Sequence, residues 1–141
     1  MANAGRDQPL AVTSRRSMAA TVLIIDDEIH IRRLTARMLE LAGYQVIEAT
    51  GGAHALALLQ EAHPDVITCD ITMPGMNGLE VLKAIKSQPD IAGIPVIMLT
   101  AVGEDKEAAR ATQLGAADYI TKPFGSTNLI ETIERQLVSR G

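Results

Sequence analysis

Hydrophobic and polar positions alternate in blocks along this chain, and the block lengths predict its elements. From Thr21 the run "TVLII" has the unbroken apolar character of a strand buried on both faces. Asp27 and Glu28 follow, acidic residues suited to the positive end of a helix. Ile31, Leu34, Met38, Leu39 and Leu41 then recur at helical spacing until Gly43 closes the segment. "YQVIEA" reads as a second strand. Gly51-Gly52 makes the turn into a second helix carrying Ala53, Leu56, Ala57 and Leu59, with Thr50 placed to cap it and Pro64 ending the segment. "DVITC" is a third strand, followed by a helix from about Gly78 to Ser87 with Leu79, Leu82 and Ile85 on one face. "IPVIML" is a fourth strand, and a helix from about Glu104 to Leu114 is stopped by Gly115. "DYIT" is a short fifth strand. A last helix from about Ser126 to Val138 turns Leu129, Ile130, Ile133 and Leu137 inward.

Five strands and five helices in strict β-α order predict an α/β fold: a doubly wound, mainly parallel five-stranded sheet with right-handed crossovers and helices on both faces. A length of 141 residues fits one domain with a sizeable core. Residues 1–19 lack periodicity and are rich in small and polar residues, so they read as a flexible basic tail ahead of a folded domain over 20–141. Met18, just before the first strand, is a second candidate start beside Met1. The stretch "SRRSMAATVLII" resembles a twin-arginine export signal, but its apolar part is short and runs into Asp26-Asp27-Glu28 with no small-residue cleavage site. The tail therefore reads as a lead into the first strand.

Composition narrows the picture. With no Trp, two Tyr and one Phe, the core must be aliphatic. The net charge of −4 argues against direct nucleic-acid binding. Cys69 is the single cysteine, which excludes an internal disulfide and fits a reducing cytoplasm. No apolar run approaches membrane-spanning length. His30, His54 and His63 have no Cys or His at ligand spacing and read as helix-surface residues, and Cys69 as a small core residue.

The chemistry lies just after the strands. Asp26, Asp27 and Glu28 follow the first, Asp70 the third, Thr100 the fourth, and Lys122-Pro123 the fifth. In a parallel sheet these ends share one edge, where ligands of open α/β folds bind. Taken singly, the acidic pair could cap a helix and Asp70 could initiate a turn. Taken together, several carboxylates, a hydroxyl and an ammonium converge. Neighbouring carboxylates repel, and a hard divalent cation such as Mg2+ relieves that, whereas zinc would call for Cys or His. Lys122 supplies a compact positive charge for a phosphate oxygen and Thr100 a hydroxyl donor. A carboxylate in such a setting can act as nucleophile toward a phosphoryl group.

From about Thr21 onward the chain resembles the receiver domain of two-component response regulators. The resemblance rests on "IIDDE", "DITMPGMNG", "LTA" and "YITKP", in this order and each at its expected strand end. It implies the flavodoxin-like receiver fold with strand order 2-1-3-4-5. It implies that Asp70 is the phosphoacceptor, that Asp26, Asp27, Asp70 and the Thr72 carbonyl hold Mg2+, and that Lys122 binds phosphoryl oxygens. Thr100 would swing toward the phosphoryl group, Tyr119 would be the switch aromatic that follows it, and the Lys122-Pro123 bond would be cis. A sensor histidine kinase or phosphotransfer protein is the implied donor. The implied readout is an altered surface on the fourth helix, fifth strand and fifth helix, which binds a downstream effector protein and supports weak homodimerisation. Val102, two residues after Thr100, cannot orient a water, and Thr72 does so only weakly, so slow self-dephosphorylation is expected.

Three rivals stand beside this reading. A haloacid-dehalogenase-type aspartyl-phosphate phosphatase would need a second aspartate where Thr72 stands, and a cap insertion. A flavin-binding electron carrier would need a phosphate loop after the first strand and aromatic residues. A phosphorylation-independent interaction module would tolerate loss of the key residues, and all are present. No pattern of a second domain follows the fifth helix; a stand-alone receiver and a piece of a longer regulator both fit.

Overall fold

The computed structural model describes residues 20–140. The expected basic tail over residues 1–19 lies outside them. The elements run β1 (Thr21–Ile25), α1 (Ile29–Leu41), β2 (Gln45–Ala49), α2 (Gly52–Leu58), β3 (Val66–Asp70), α3 (Gly78–Lys86), β4 (Val96–Thr100), α4 (Asp105–Gln113), β5 (Asp118–Thr121) and α5 (Ser126–Arg140). The five strands form one sheet in the order β2-β1-β3-β4-β5, and every neighbouring pair is parallel.

Strict side-chain alternation splits β1, β3 and β4 between two cores. Leu23, Ile25, Ile67, Cys69, Val96 and Met98 point to one side, where they meet Ala55 and Leu59 at α2, Val81, Leu82 and Ile85 of α3, and Ala111 of α4. Val22, Ile24, Val66, Ile97 and Leu99 point to the other, under Ala36 and Leu39 of α1 and Leu129 and Ile133 of α5. Both faces are covered, which is why the strands read as unbroken apolar runs. Each fully buried aliphatic side chain contributes roughly 1.5–3 kcal/mol.

Several details differ from the sequence pattern. In α1 the inward residues are Arg32, Thr35, Ala36 and Leu39, while Leu34 is 54% and Leu41 71% exposed. Small residues facing β1 let the helix sit close to the sheet, and this outweighs the apolar count. Leu34 and Met38 instead border a hollow of about 250 Å3 shared with Pro123 and Phe124. Thr50 does not cap α2: the N-cap is Gly51, without a side-chain bond, and the Thr50 amide donates to His54 Nδ1 at 3.0 Å. In that helix Ala53 and Ala57 are exposed, and Ala55 with Leu59 carries the burial. Strand β4 starts at Val96, later than expected, because Pro95 has no N–H to give the ladder; its carbonyl accepts from Ile67 at 3.0 Å. Helix α3 starts with a reciprocal capping box between Asn77 and Glu80.

The expected stops are present. Gly43 and Gly115 take φ of 99° and 104°, the left-handed region that glycine enters without penalty. Among the described residues no helix is long and apolar enough to cross a membrane.

Candidate functional site

All five strand C-termini reach one edge of the sheet, and β1 and β3, adjacent there, bring their trailing carboxylates together. Asp26 is 1% exposed. Its amide donates to the Ala49 carbonyl at 3.2 Å, and its Oδ1 accepts from the Glu28 amide at 2.9 Å. Glu28 caps α1, accepting from the Ile31 amide at 2.9 Å, and that bond lowers its pKa. Asp27 is exposed. Asp70 closes β3 and is largely buried. One carboxylate oxygen from each of Asp26, Asp27 and Asp70 falls within 4.8 Å of the others.

Lys122 reaches this cluster from the end of β5. Its amide donates to the Thr100 carbonyl at 2.6 Å, and the Lys122-Pro123 peptide is cis, as expected. Its Nζ lies 3.3 Å from Asp70 Oδ1 and 3.5 Å from Asp26 Oδ2. One ammonium thus serves two of the three carboxylates. Burial pushes the Asp70 carboxyl up to about 6, with Asp26 and Asp27 adding to the rise and Lys122 opposing it.

The donor set is oxygen only, anionic and partly open through Asp27, which suits a hard divalent cation retaining some water. Cys69, next to Asp70 in sequence, points into the core, and burial pushes its thiol far up, so it offers no thiolate ligand. His30, His54 and His63 are exposed, as expected, and none belongs to the cluster of ligand atoms found among the described residues.

The structure does not gather every predicted residue. Thr100 ends β4 at the same edge, but its hydroxyl turns toward β5, donating to the Ile120 carbonyl at 3.5 Å and to Thr121 Oγ1 at 3.3 Å. Tyr119 is half exposed and stands outside the cluster. Thr72 lies in the β3–α3 loop, where its hydroxyl donates to the Glu104 carboxylate.

Two further groups shape the site without having been singled out in the sequence. Arg32 is buried in α1, where its Nη1 donates to the Asp26 carbonyl at 3.0 Å and its Nε to Glu48 Oε1 at 3.0 Å. It clamps the loop carrying the acidic pair. The only signal was a charged residue six positions after Asp26 on the sheet-facing side of a helix. Glu104 is the other: its Oε1 accepts from the Ala101 amide at 2.6 Å while it also binds Thr72. Behind Asp70, Gly78 is obligatory, since a Cβ there would stand 2.3 Å from the Asp70 carbonyl oxygen.

Comparison with known proteins identifies the family of the chain. The response regulator receiver domain family matches residues 22–134. The phosphate regulon transcriptional regulatory protein PhoB of Pseudomonas aeruginosa is 40% identical over 121 residues, covering 86% of this chain and 53% of that protein. A probable transcriptional regulator, ycf27 of Cyanophora paradoxa, is 39% identical over 119 residues, 84% of this chain and 48% of that protein. The chain spans about half the length of the curated relatives it matches. Among solved structures, the chemotaxis response regulator CheY4 of Vibrio cholerae superposes with a TM-score of 0.78 at 38% identity, covering 83% of this chain and 98% of that one. The receiver domain of a signal transduction histidine kinase from Syntrophus aciditrophicus gives 0.79 at 33% identity, covering 85% and 91%.

Proposed function

We propose, from the premise that this chain belongs to the response regulator receiver domain family, that it is a signalling switch phosphorylated on Asp70. The observation that carries this is the Asp70 carboxylate at the β3 end, with Lys122 Nζ at 3.3 Å and Asp26 and Asp27 beside it. An Asp70 oxygen attacks the phosphorus of a phosphohistidine on a sensor kinase or phosphotransfer protein. The new P–O bond forms as the P–N bond breaks, and the imidazole leaves with the electron pair. Lys122 meets the charge on the transferred oxygens, and Thr100 turns from β5 to donate its hydroxyl.

Asp26, Asp27, Asp70 and the Thr72 carbonyl would hold Mg2+, which supplies charge neutralisation for the phosphoryl oxygens. Arg32 fixes the carbonyl of Asp26 and so holds the acidic loop in place. Reorientation of Thr100 empties space near β5 for Tyr119, and the α4–β5–α5 surface changes as a population shift that an effector protein reads. That surface is also where two copies would pair weakly. The acidic balance of −4 supports protein contacts rather than nucleic acid as the direct readout of this domain, and a cytoplasmic setting fits the single reduced cysteine.

Self-dephosphorylation is slow on this reading. Val102 is exposed and has no polar group to position a water, and a threonine hydroxyl at Thr72 orients one only weakly. Thr72 itself weighs against a haloacid-dehalogenase-type phosphatase, which needs an acid-base carboxyl at that position. Intact-mass measurement after incubation with a small phosphodonor and Mg2+ tests the proposal. One phosphoryl adduct that requires Mg2+ and disappears in folded Asp70→Asn is expected, with a lifetime well beyond seconds. A folded wild type that gains no adduct overturns it in favour of a phosphorylation-independent module.

A further inference from the structure

Glu104 is the N-cap residue of α4, yet its side chain makes no cap bond to its own helix. It reaches back instead. One carboxylate oxygen takes the Ala101 amide proton at 2.6 Å, and the other takes the Thr72 hydroxyl proton. Ala101 follows Thr100, and Thr72 lies two residues past Asp70, so a single carboxylate ties together the two loops that flank the phosphoacceptor. The register places these loops side by side: Asp70 pairs with Leu99 across β3 and β4, and the Ile71 amide donates to the Leu99 carbonyl at 3.1 Å. The Ala101 N–H thus stands at the sheet edge beside Asp70, and its donor capacity is spent on an internal anion.

We propose that Glu104 is a gating residue: an internal anion that latches the β4–α4 loop to the β3–α3 loop in the resting state and must be displaced when Asp70 carries a phosphoryl group. The proposal rests on the phosphoacceptor reading of Asp70. A phosphoryl group on Asp70 brings new anionic oxygens to the two loops that Glu104 joins. Like charges repel there, and the Ala101 N–H has a competing acceptor. Release of Glu104 frees the loop after Thr100, the residue whose hydroxyl must leave β5. The latch couples occupancy of the site to the position of α4, because Glu104 is the residue on which that helix begins; the Ala108 amide donates to its carbonyl at 3.0 Å. It acts through the loops rather than by touching the reacting atoms, so it is a positioning residue.

Three variants separate its parts. Glu104→Ala removes charge and bridge, Glu104→Gln keeps a bridge without charge, and Thr72→Val removes only the link to the β3–α3 loop. Each is checked for an unchanged circular dichroism spectrum, and the phosphoryl mimic beryllofluoride with Mg2+ is titrated while amide resonances are followed by NMR. Loss of one competing hydrogen bond and one like charge should tighten the apparent affinity of Glu104→Ala by roughly three- to tenfold. Glu104→Gln and Thr72→Val should show smaller gains in the same direction. Without the mimic, the Ala101 amide should exchange faster in Glu104→Ala, a readout independent of any phosphoryl chemistry. Unchanged mimic affinity or unchanged Ala101 exchange in folded Glu104→Ala overturns the gate. Failure of the wild type itself to bind the mimic overturns the phosphoacceptor reading and the gate with it, and is recognised because wild type and variants then fail alike.

Discussion

Replacing Asp70 by asparagine should stabilise the resting protein at neutral pH. The side chain is largely buried, shares its space with the Asp26 and Asp27 carboxylates, and has one ammonium nearby that Asp26 also uses. Burial, with Asp26 and Asp27 adding to it and Lys122 opposing, pushes its pKa from 3.8 to about 6. A rise of about two units corresponds to roughly 3 kcal/mol of disfavour for the ionised form in the folded state, at about 1.36 kcal/mol per unit. Asparagine has nearly the same shape and no charge, and Lys122 keeps Asp26 as partner at 3.5 Å. Because the folded pKa lies above the unfolded one, the folded wild type binds the extra proton between about pH 4 and pH 6. Its stability therefore falls as pH rises through that window and is flat above it. Water reaching the site from the Asp27 side reduces the effect, so a gain of about 1–3 kcal/mol is expected for Asp70→Asn at pH 7.5. Urea unfolding of both proteins in EDTA, from pH 5 to 8, measures it. The gap should shrink toward pH 5, and added Mg2+ should stabilise wild type more than the variant. A variant less stable than wild type at pH 7.5, with a gap independent of pH, would refute the reasoning.

Three further outcomes follow from the same geometry. Lys122→Met removes the one cation that pairs with Asp70 among the described residues, so the Asp70 carboxyl should titrate above about 6, read by carbon NMR of labelled aspartate, and phosphoryl uptake should fall sharply. Arg32→Met removes the donor to the Asp26 carbonyl and leaves Glu48 to the exposed Arg33 at 3.6 Å, and should cost about 1–3 kcal/mol in urea unfolding, with weaker Mg2+ binding by calorimetry. Asn77→Ala breaks the capping box of α3 and should cost about 1 kcal/mol without changing the Mg2+ affinity, which separates helix stability from the site.

Much of this protein was legible in its sequence because the relevant signals are local. A strand buried on both faces must be apolar throughout, so "TVLII" and "VITC" announced themselves, and Gly43 and Gly115 marked helix ends by the one backbone region other residues avoid. Once the elements alternate as β and α, a parallel sheet carries every strand end to one edge, and Asp26, Asp27, Asp70 and Lys122 meet there. Relations set by long-range packing were not legible. The inward face of α1 was decided by how closely Thr35 and Ala36 let it approach β1, not by where its leucines fall. Arg32 gains its role only when β2 brings Glu48 alongside. Thr100 faces away from Asp70 because β5 offers its hydroxyl acceptors. Glu104 looks like an ordinary helix cap until Thr72, 32 residues away in sequence, and the Ala101 amide close around its carboxylate. Periodicity and strand-end chemistry reside in single segments and can be read from the chain; which side chain occupies a shared space depends on surfaces that exist only after the sheet has assembled.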